Sequence, residues 1–175
     1  MNVWTVKCNY KRRDGGQGWH WKRYLAETGQ CFDFGGPEWI RSKASQRHIR
    51  DGVTKGDLVL CYQTDEKAIL ALTRMASNGY EHSATPGEFN MFNLVSAQQT
   101  LGFEPPVTIA ELRQNGCDPA CFRTGTQGTV FPVKSDDWTA ILRTIKAIRP
   151  SLGARLKQWF DGSKMTRQAG HGTNK

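Results

Sequence analysis

Three hydrogen-bonding side chains end an apolar run near the middle of the chain. The stretch "GDLVLCYQTD" covers residues 56–65 and finishes in Tyr62, Gln63 and Thr64 before a final aspartate. Its branched and apolar residues predict a buried strand that carries these three side chains at its end. A phenol, an amide and a hydroxyl can stack against a ligand or form hydrogen bonds with it, but none is a strong acid or base near neutral pH. These residue types therefore favour a binding pocket, and a solvated strand end is the plainer alternative.

Sequence motifs of the common enzyme classes are missing from the chain. There is no G-x-S-x-G elbow, no Walker loop, no G-x-G-x-x-G after a strand, no H-E-x-x-H and no zinc-deaminase pattern. The acid pairs at residues 65–66 and 136–137 fit a hairpin turn and the first turn of a helix without any catalysis. Cys117 and Cys121 lie close together, but no His pair or second Cys pair follows at the spacing of a zinc site. We therefore expect a binding module rather than an enzyme, with no metal ion and no cofactor.

The charge balance favours an anionic partner. The chain has 24 Lys and Arg residues against 16 Asp and Glu residues, which leaves a formal net charge of +8 and favours association with nucleic acid. The 5 cysteines are an odd number, and Cys61 lies inside the apolar run. We therefore expect reduced thiols in a cytoplasmic protein. No segment approaches the length of an apolar membrane span, so we expect no contact with a membrane.

Residue periodicity predicts a mixture of strands and helices. Strand patterns occur in "NVWTVKC", "GDLVLCYQT", "KAILALTRMA", "FNMFNLVSAQ" and "GTVFPV", and the second and third are predicted to form a hairpin. Helix patterns occur at residues 19–28, from Pro37 onward, after a Thr108–Glu111 capping box, and from an N-cap at Ser135. The stretches "FDFGGP" and "SNGYEHSATPGE" are predicted to be loops. The fold class is therefore α+β, a compact sheet or barrel with helices on its rim.

Residues 150–175 differ in composition from the rest of the chain. The segment "SLGARLKQWF" predicts one more helix, and the stretch after it has too little apolar surface to fold alone. We therefore expect one domain over residues 1–149, followed by a basic C-terminal helix and a flexible tail. The basic residues predicted to contact phosphates from this segment are Arg155, Lys157, Lys164 and Arg167.

Three segments occur in an order that is typical of one known family. The segment "IRSKASQRHIRDGVTKGDLVLCYQT" is similar to a V-R-N-Y-Q-A-R-N-x-L-R pattern followed by G-D and a strand that ends in an aromatic residue, Tyr, His and Ser. The segments "AILALTRMA" and "GTVFPVKSDDWTAIL" are similar to an I-x-G-L-x-x-V strand and an L-S-V-x-P-V-x-x-E-E-W ending. Ser42, Gln63 and Ala71 replace the usual Asn, His and Gly. From Trp4 to about Thr144, the chain therefore resembles the EVE domain, a relative of the YTH and PUA folds.

The resemblance implies a PUA-like small twisted β-barrel flanked by helices. It also implies an aromatic-walled pocket that takes a modified base flipped out of its strand. In that pocket Tyr62 supplies a wall or a hydroxyl, and Gln63 or Thr64 contacts the edge of the base. Lys43 and Arg47 lie outside the pocket and are predicted to hold phosphates. The other residues implied for the pocket are Trp4 and Trp39 as walls, Arg41 and Ser42 at the rim, and Gln127 and Thr129 from the last strand.

The predicted function is therefore non-catalytic recognition of a modified base. The base is 5-methyl- or 5-hydroxymethylcytosine, DNA is favoured over RNA, and a nuclease or another defence-system protein is the expected partner. Two other interpretations stay open at this point. One is an RNA-binding accessory protein of PUA type that acts on tRNA or rRNA, and the other is an enzyme on the same fold that no motif identifies. Trp4 has the alternative of a place in the core, and Arg41 that of a surface cation at its helix.

Overall fold

Strands and helices are interspersed along the described part of the chain. The computed structural model describes residues 1–10, 18–29, 31–123 and 129–169, with side chains through residue 162. The described strands are β1 (Val3–Cys8), β2 (Cys31–Gly35), β3 (Leu58–Gln63), β4 (Ala68–Arg74), β5 (Tyr80–Glu81), β6 (Phe89–Val95), β7 (Leu101–Thr108) and β8 (Val130–Pro132). The described α-helices are α1 (Trp21–Leu25), α2 (Lys43–Gly52), α3 (Ile109–Gln114), α4 (Ser135–Ile148) and α5 (Pro150–Ala169).

The larger sheet has five strands in the order β7-β4-β3-β1-β8. Strand β3 lies at its centre and is buried along its whole length. It pairs in parallel with β1, from Val3 opposite Leu58 to Cys8 opposite Gln63, whereas the other pairs of this sheet are antiparallel. A strand that is apolar on both faces needs cover on both sides of the sheet. The central strand therefore requires two hydrophobic cores.

The two cores lie on opposite faces of the larger sheet. Successive residues of a strand point to opposite faces. Helices α3, α4 and α5 pack on one face, whereas α1, α2 and the smaller sheet pack on the other. From β1 and β3, the first core contains Val3, Leu58, Leu60 and Tyr62, and the second contains Trp4, Val6, Val59 and Cys61.

The smaller sheet has the strand order β2-β6-β5. It joins the larger sheet through a bridge between Met75 and Leu94, and the N–H of Ala76 donates to the carbonyl of Asn93 at 2.7 Å. The expectation of an α+β fold is confirmed, but the closed barrel is wrong, because the described strands form two sheets that meet at this bridge. Strand β8 is short, and α2 covers its start, so no described strand continues the larger sheet beyond it.

Several predicted elements have their expected places. The β3–β4 hairpin, the strands β1, β6 and β8, and the capping box at the start of α3 are confirmed. The helix predicted from Pro37 begins later, at Lys43, because Ser42 is its N-cap and accepts a hydrogen bond from the Ser45 N–H. The N-cap predicted at Ser135 is one residue too late, since the N-cap of α4 is Lys134.

Three strands lie where the sequence predicted none. Strand β2 occupies the "FDFGGP" region and β5 lies in the stretch predicted as a polar loop. Strand β7 contains Pro105 and Pro106 and forms an edge of the larger sheet. An edge strand tolerates proline because its outer side needs no N–H donor. The helix predicted at residues 19–28 is reduced to the single short helix α1.

The C-terminal helix α5 packs on the larger sheet. Leu152 and Leu156 are buried in the core beneath α3 and α4. The indole N–H of Trp159 donates to the carbonyl of Gln99 at 2.9 Å, and the Arg74 guanidinium lies over the same ring at 4.5 Å. The predicted helix after residue 149 is therefore present, and residues 170–175 of the predicted tail lie outside the described part of the chain. The division into a domain and a tail stays a prediction.

Candidate nucleic-acid interface

An exposed tryptophan precedes helix α2. Residues 37–39 form a turn in which the Trp39 N–H and the Ile40 N–H both donate to the carbonyl of Gly36, at 3.1 and 2.9 Å. Gly36 has a φ of 108°, which favours glycine. Ile40 is fully buried, whereas Trp39 keeps 38% of its surface exposed. The buried isoleucine therefore anchors the turn and leaves the neighbouring indole at the surface.

Threonine 129 holds this turn from the other side. Its hydroxyl donates to the carbonyl of Trp39 at 3.1 Å. Its backbone N–H donates at 2.9 Å to the hydroxyl of Ser45, which is buried in the first turns of α2 and also accepts from the Val130 N–H. The structure therefore brings Trp39, Ser42 and Thr129 together at the start of α2. Arg41 lies within the same segment, and its side chain is exposed.

A basic groove runs along the exposed side of α2. It has a volume of about 360 Å³ and lies between the helix and the turn that precedes β6. Three cations of α2 line it at intervals of four and three residues, which is the spacing of one helical face. The lining residues are Lys43, Gln46, Arg47, Arg50, Gly87 and Phe89.

Two of these cations have carboxylate partners. Lys43 Nζ lies 3.0 Å from Glu88 Oε1, and Arg50 Nε lies 2.6 Å from Asp51 Oδ1. The hydrogen bond from Arg50 lowers the pKa of Asp51, so this carboxyl stays ionised. Arg47 has no carboxylate of a described residue within ion-pair distance. The groove therefore keeps a net positive charge, which suits a phosphate group.

The polar end of β3 does not open into this groove. Gln63 is fully buried, and its Oε1 accepts from the Trp21 N–H at 3.1 Å. Its Nε2 donates to the carbonyl of Trp19 at 3.3 Å and to Asp65 Oδ1 at 2.5 Å. Tyr62 points to the opposite face of the sheet, where its ring lies 4.8 Å from that of Phe122. The structure therefore separates Tyr62 from Gln63 and does not bring either one to Trp39.

The remaining residues predicted for the pocket lie in different surroundings. Trp4 is buried under the end of α2, where its indole N–H donates to Asp57 Oδ2 at 2.9 Å. This place in the core is the alternative considered for it. Thr64 is exposed in the β3–β4 turn, and Gln127 lies outside the described residues.

The basic residues of α5 are partly engaged within the protein. Arg155 donates to the carbonyl of Gly102 at 3.0 Å, and Lys157 Nζ lies 2.8 Å from Asp161 Oδ2. Both side chains are exposed, so these contacts leave them accessible to an anion. The side chains of Lys164 and Arg167 lie outside the described part, although the backbone at both positions is helical.

Comparison with known protein families decides which family this fold belongs to. The model of the EVE domain matches residues 26–144. The chain belongs to the EVE domain family. A comparison with curated proteins gives no significant match.

Solved structures share the fold of this EVE domain. Protein Rpa0253 from Rhodopseudomonas palustris has a TM-score of 0.63 and 18% identity, covering 82% of this chain and 92% of its own. Human THYN1, solved in complex with DNA that contains 5-methylcytosine, has a TM-score of 0.62 and 14% identity over 82% of this chain and 96% of its own. A hypothetical protein from Leishmania major has a TM-score of 0.58 and 19% identity, with 85% and 98% covered. At these identities the similarity establishes the fold.

Several residues of the groove and its surroundings, among them Gln46 and Gly87, were not predicted from the sequence. Arg50 and Phe89 line the groove, and Ser45 ties the start of α2 to β8. The spacing from Lys43 through Arg47 to Arg50 is a signal that helix periodicity alone can supply. No sequence pattern links Ser45 to Thr129, because their contact depends on the folded chain.

Other kinds of site have less support in the described part of this EVE domain. No group of three or more His, Cys, Asp and Glu residues lies close enough there to hold a metal ion. All 5 cysteines are free thiols, and burial raises the pKa of Cys121 to about 11. None of the described helices combines the length and the apolar composition that a membrane crossing needs.

Proposed function

We propose that this EVE domain binds nucleic acid and stacks a modified base, flipped out of its strand, on Trp39. Ser42 and Thr129 lie at the same turn and carry hydroxyl groups, and the exposed Arg41 adds a cation. The base we favour is 5-methyl- or 5-hydroxymethylcytosine in DNA. The site differs from the pocket implied by sequence resemblance, because Tyr62 and Gln63 are buried elsewhere.

The placement of Trp39 carries this proposal. A large aromatic ring that is 38% exposed on a fixed turn offers a ready stacking surface. The turn is held by the hydrogen bonds from Ile40 and Thr129, so little conformational freedom is lost when a base binds. A methyl group added at Gly36 would lie 3.8 Å from Trp39 Cδ1 and 3.9 Å from Met91 Sδ. An added methyl group would touch the edge of the ring at an ordinary contact distance, and glycine leaves this edge uncovered.

The basic side of α2 supports a nucleic acid as the ligand. The cations of the groove follow directly along the chain from Trp39 and Arg41, so phosphates next to a stacked base lie within reach of the same helix. The chain as a whole carries a net charge of +8. Electrostatic attraction of this kind supplies affinity that does not depend on base identity.

The relative solved with DNA supports DNA over RNA. Human THYN1 shares the fold over 82% of this chain, and its complex contains DNA with 5-methylcytosine.

The side chains around Trp39 supply an indole, hydroxyl groups and a guanidinium, which suit binding better than proton transfer. We therefore propose recognition without a chemical step. Incubation of modified oligonucleotides with the protein and a divalent metal, followed by mass spectrometry, should return them unchanged.

Substitution of Trp39 by alanine tests the site. We expect Trp39→Ala to weaken binding to an oligonucleotide with 5-methylcytosine by about 1–3 kcal/mol, the contribution of one stacked base. Fluorescence anisotropy with matched DNA and RNA, each with and without the modification, measures the loss and the preference. Trp39→Phe is the control, because it keeps an aromatic surface and should retain most of the affinity.

Two outcomes would contradict the proposal. In the first, Trp39→Ala binds the modified DNA as tightly as the wild type, which would place the base elsewhere. In the second, the wild type binds modified and unmodified DNA equally well. A preference for RNA in the same panel would instead support the RNA-binding interpretation.

A further inference from the structure

We propose that the groove along α2 is the phosphate site for the strand that carries the stacked base. Arg47 is the first contact for a phosphate, and Glu88 occupies the place of a second phosphate until the nucleic acid displaces it from Lys43. This inference rests on the proposed function and deepens it, because it assigns the backbone contacts and an internal competitor.

The length of the groove fits a short run of nucleotides. Lys43 and Arg50 are seven residues apart, so the cations extend over about 10 Å of helix at 1.5 Å per residue. A duplex strand advances roughly 3.4 Å per nucleotide. Along the axis of a duplex, the length of the cation row corresponds to the rise of about three nucleotides of one strand.

The charges of the groove make Arg47 the first contact. Lys43 and Arg50 are paired with Glu88 and Asp51, whereas Arg47 has no such partner among the described residues. A guanidinium also offers two parallel donors to a phosphate. A phosphate that enters the groove therefore meets Arg47 without having to displace a carboxylate.

Glu88 is positioned as an internal substitute for a phosphate. Its Oε1 lies 3.0 Å from Lys43 Nζ, and its Oε2 accepts from Gln46 Nε2 at 3.4 Å. The Lys43 side chain is 78% exposed, and an ion pair at such exposure contributes little stability. Exchange of the Glu88 carboxylate for a phosphate oxygen is therefore inexpensive.

The floor of the groove leaves room for a sugar or a base. Phe89 presents part of its ring, and a side chain built at Gly87 would meet nothing within 4 Å. The volume of about 360 Å³ lies near the lower end of the range for small-ligand sites, roughly 300–1,000 Å³. One nucleotide unit beside the phosphate row fits this space.

Two substitutions, one that removes a positive charge and one that removes a negative charge, test the groove. Arg47→Gln should weaken binding of modified and unmodified DNA alike, roughly three- to tenfold, and lower the slope of log affinity against log salt by about 1. Glu88→Gln should strengthen binding of both, because it removes the competing carboxylate. Anisotropy titrations between about 50 and 200 mM salt measure both effects.

Arg143→Gln is the matched control. Arg143 is an exposed arginine of α4, on the opposite face of the larger sheet, and its substitution removes the same charge. We expect this variant to bind DNA almost as the wild type does. Arg47→Lys should keep the salt slope, because it keeps the charge.

The inference is overturned by any of three results. Either Arg47→Gln or Glu88→Gln leaves the affinity unchanged, Arg143→Gln has the same effect as Arg47→Gln, or Arg47→Gln changes the ratio between modified and unmodified DNA. If Trp39→Ala loses affinity as expected and Arg47→Gln has no effect, the phosphate site in the groove is refuted and the base site is not. An unchanged affinity in Trp39→Ala with the expected effect of Arg47→Gln refutes the base site alone. A wild type that binds no oligonucleotide refutes both.

Discussion

The amide of Gln63 holds the residues around the start of α1 against the end of β3. It accepts from the Trp21 N–H and donates to the carbonyl of Trp19. A buried backbone group without a partner costs free energy, and a glutamine offers both a donor and an acceptor. The polar end of this core strand therefore has a structural role in the fold.

Substitution of Gln63 by alanine should destabilise the protein. The change leaves the Trp21 N–H and the Trp19 carbonyl without their partner, at a cost of about 1–3 kcal/mol in the free energy of unfolding. Urea denaturation followed by tryptophan fluorescence measures the effect. Thr64→Ala is the control, since Thr64 is exposed and its hydroxyl makes no hydrogen bond to a described residue. If Gln63→Ala unfolds like the wild type but loses nucleic-acid binding, the amide contacts the ligand instead.

Single residues show where prediction from sequence stops. The patterns place Trp39 near the start of a helix and Gln63 at a strand end. An aromatic ring and an amide are both suited to a binding site. The sequence does not show that Ile40 is buried while Trp39 is exposed. It also does not show that the Gln63 amide forms hydrogen bonds with the backbone of Trp19 and Trp21. Exposure and hydrogen-bond partners depend on contacts between distant segments.

Helix α2 is fixed at both ends. Its start is hydrogen-bonded to β8 through Ser45. Its end packs so closely on Trp4 that a side chain at Gly52 would meet that ring at 2.8 Å. Trp4 in turn donates to Asp57, which also accepts from the backbone N–H groups of Asn2 and Thr54. The proposed binding helix is therefore held rigidly against the larger sheet.

The Asp57 carboxylate gives this anchor a pH dependence. Burial alone would raise its pKa, but the hydrogen bonds from Trp4, Asn2 and Thr54 outweigh burial and lower it. A lowered pKa in the folded state contributes stability above the unfolded value of about 3.9, and this contribution is lost as the pH falls through the folded value. We expect Asp57→Asn to lose about 1.5–3 kcal/mol at neutral pH, where hydrogen bonds to a charge are lost, and less at low pH.

Urea denaturation at several pH values checks this prediction. The difference between wild type and Asp57→Asn should shrink as the pH falls below about 4. Glu27→Gln removes an exposed carboxylate after α1 and should leave the curve unchanged. A constant difference at every pH would show that the carboxylate charge does not contribute to the anchor.

Elements with strong local signals were predicted correctly. The β3–β4 hairpin has two apolar runs around a polar turn, and α3 has its capping box. Strands β2 and β7 were missed because their pairing with β6 and β4 joins distant parts of the chain. The glycine at the end of β2 and the prolines in β7 favour loops locally, and the edge positions of these strands make such residues acceptable.

The proposed binding residues and the C-terminal helices lie on opposite faces of the larger sheet. The proposed base site and the basic groove belong to the face of α2, whereas α3, α4 and α5 close the other core. Helix α5 contributes Leu152 and Leu156 to that core, so its first half belongs to the folded unit. Residues 161–175 add three basic residues and one aspartate, a net charge of +2 by subtraction. The C-terminal segment therefore has a first part, residues 150–160, that adds both buried leucines and basic residues, and a second part, residues 161–175, that adds charge.

Two truncations separate the contributions of residues 150–160 and residues 161–175. A chain that ends after Phe160 keeps the buried leucines, so its melting temperature should stay close to that of the full chain. Its salt slope and affinity should fall equally for modified and unmodified DNA, because only net positive charge is lost. A chain that ends after Arg149 loses both leucines and should lose about 3–6 kcal/mol of stability, since each buried leucine contributes about 1.5–3 kcal/mol. Thermal melts and anisotropy on the same preparations measure both. A changed ratio between modified and unmodified DNA in the longer truncated chain would show that the C-terminal segment contacts the base itself.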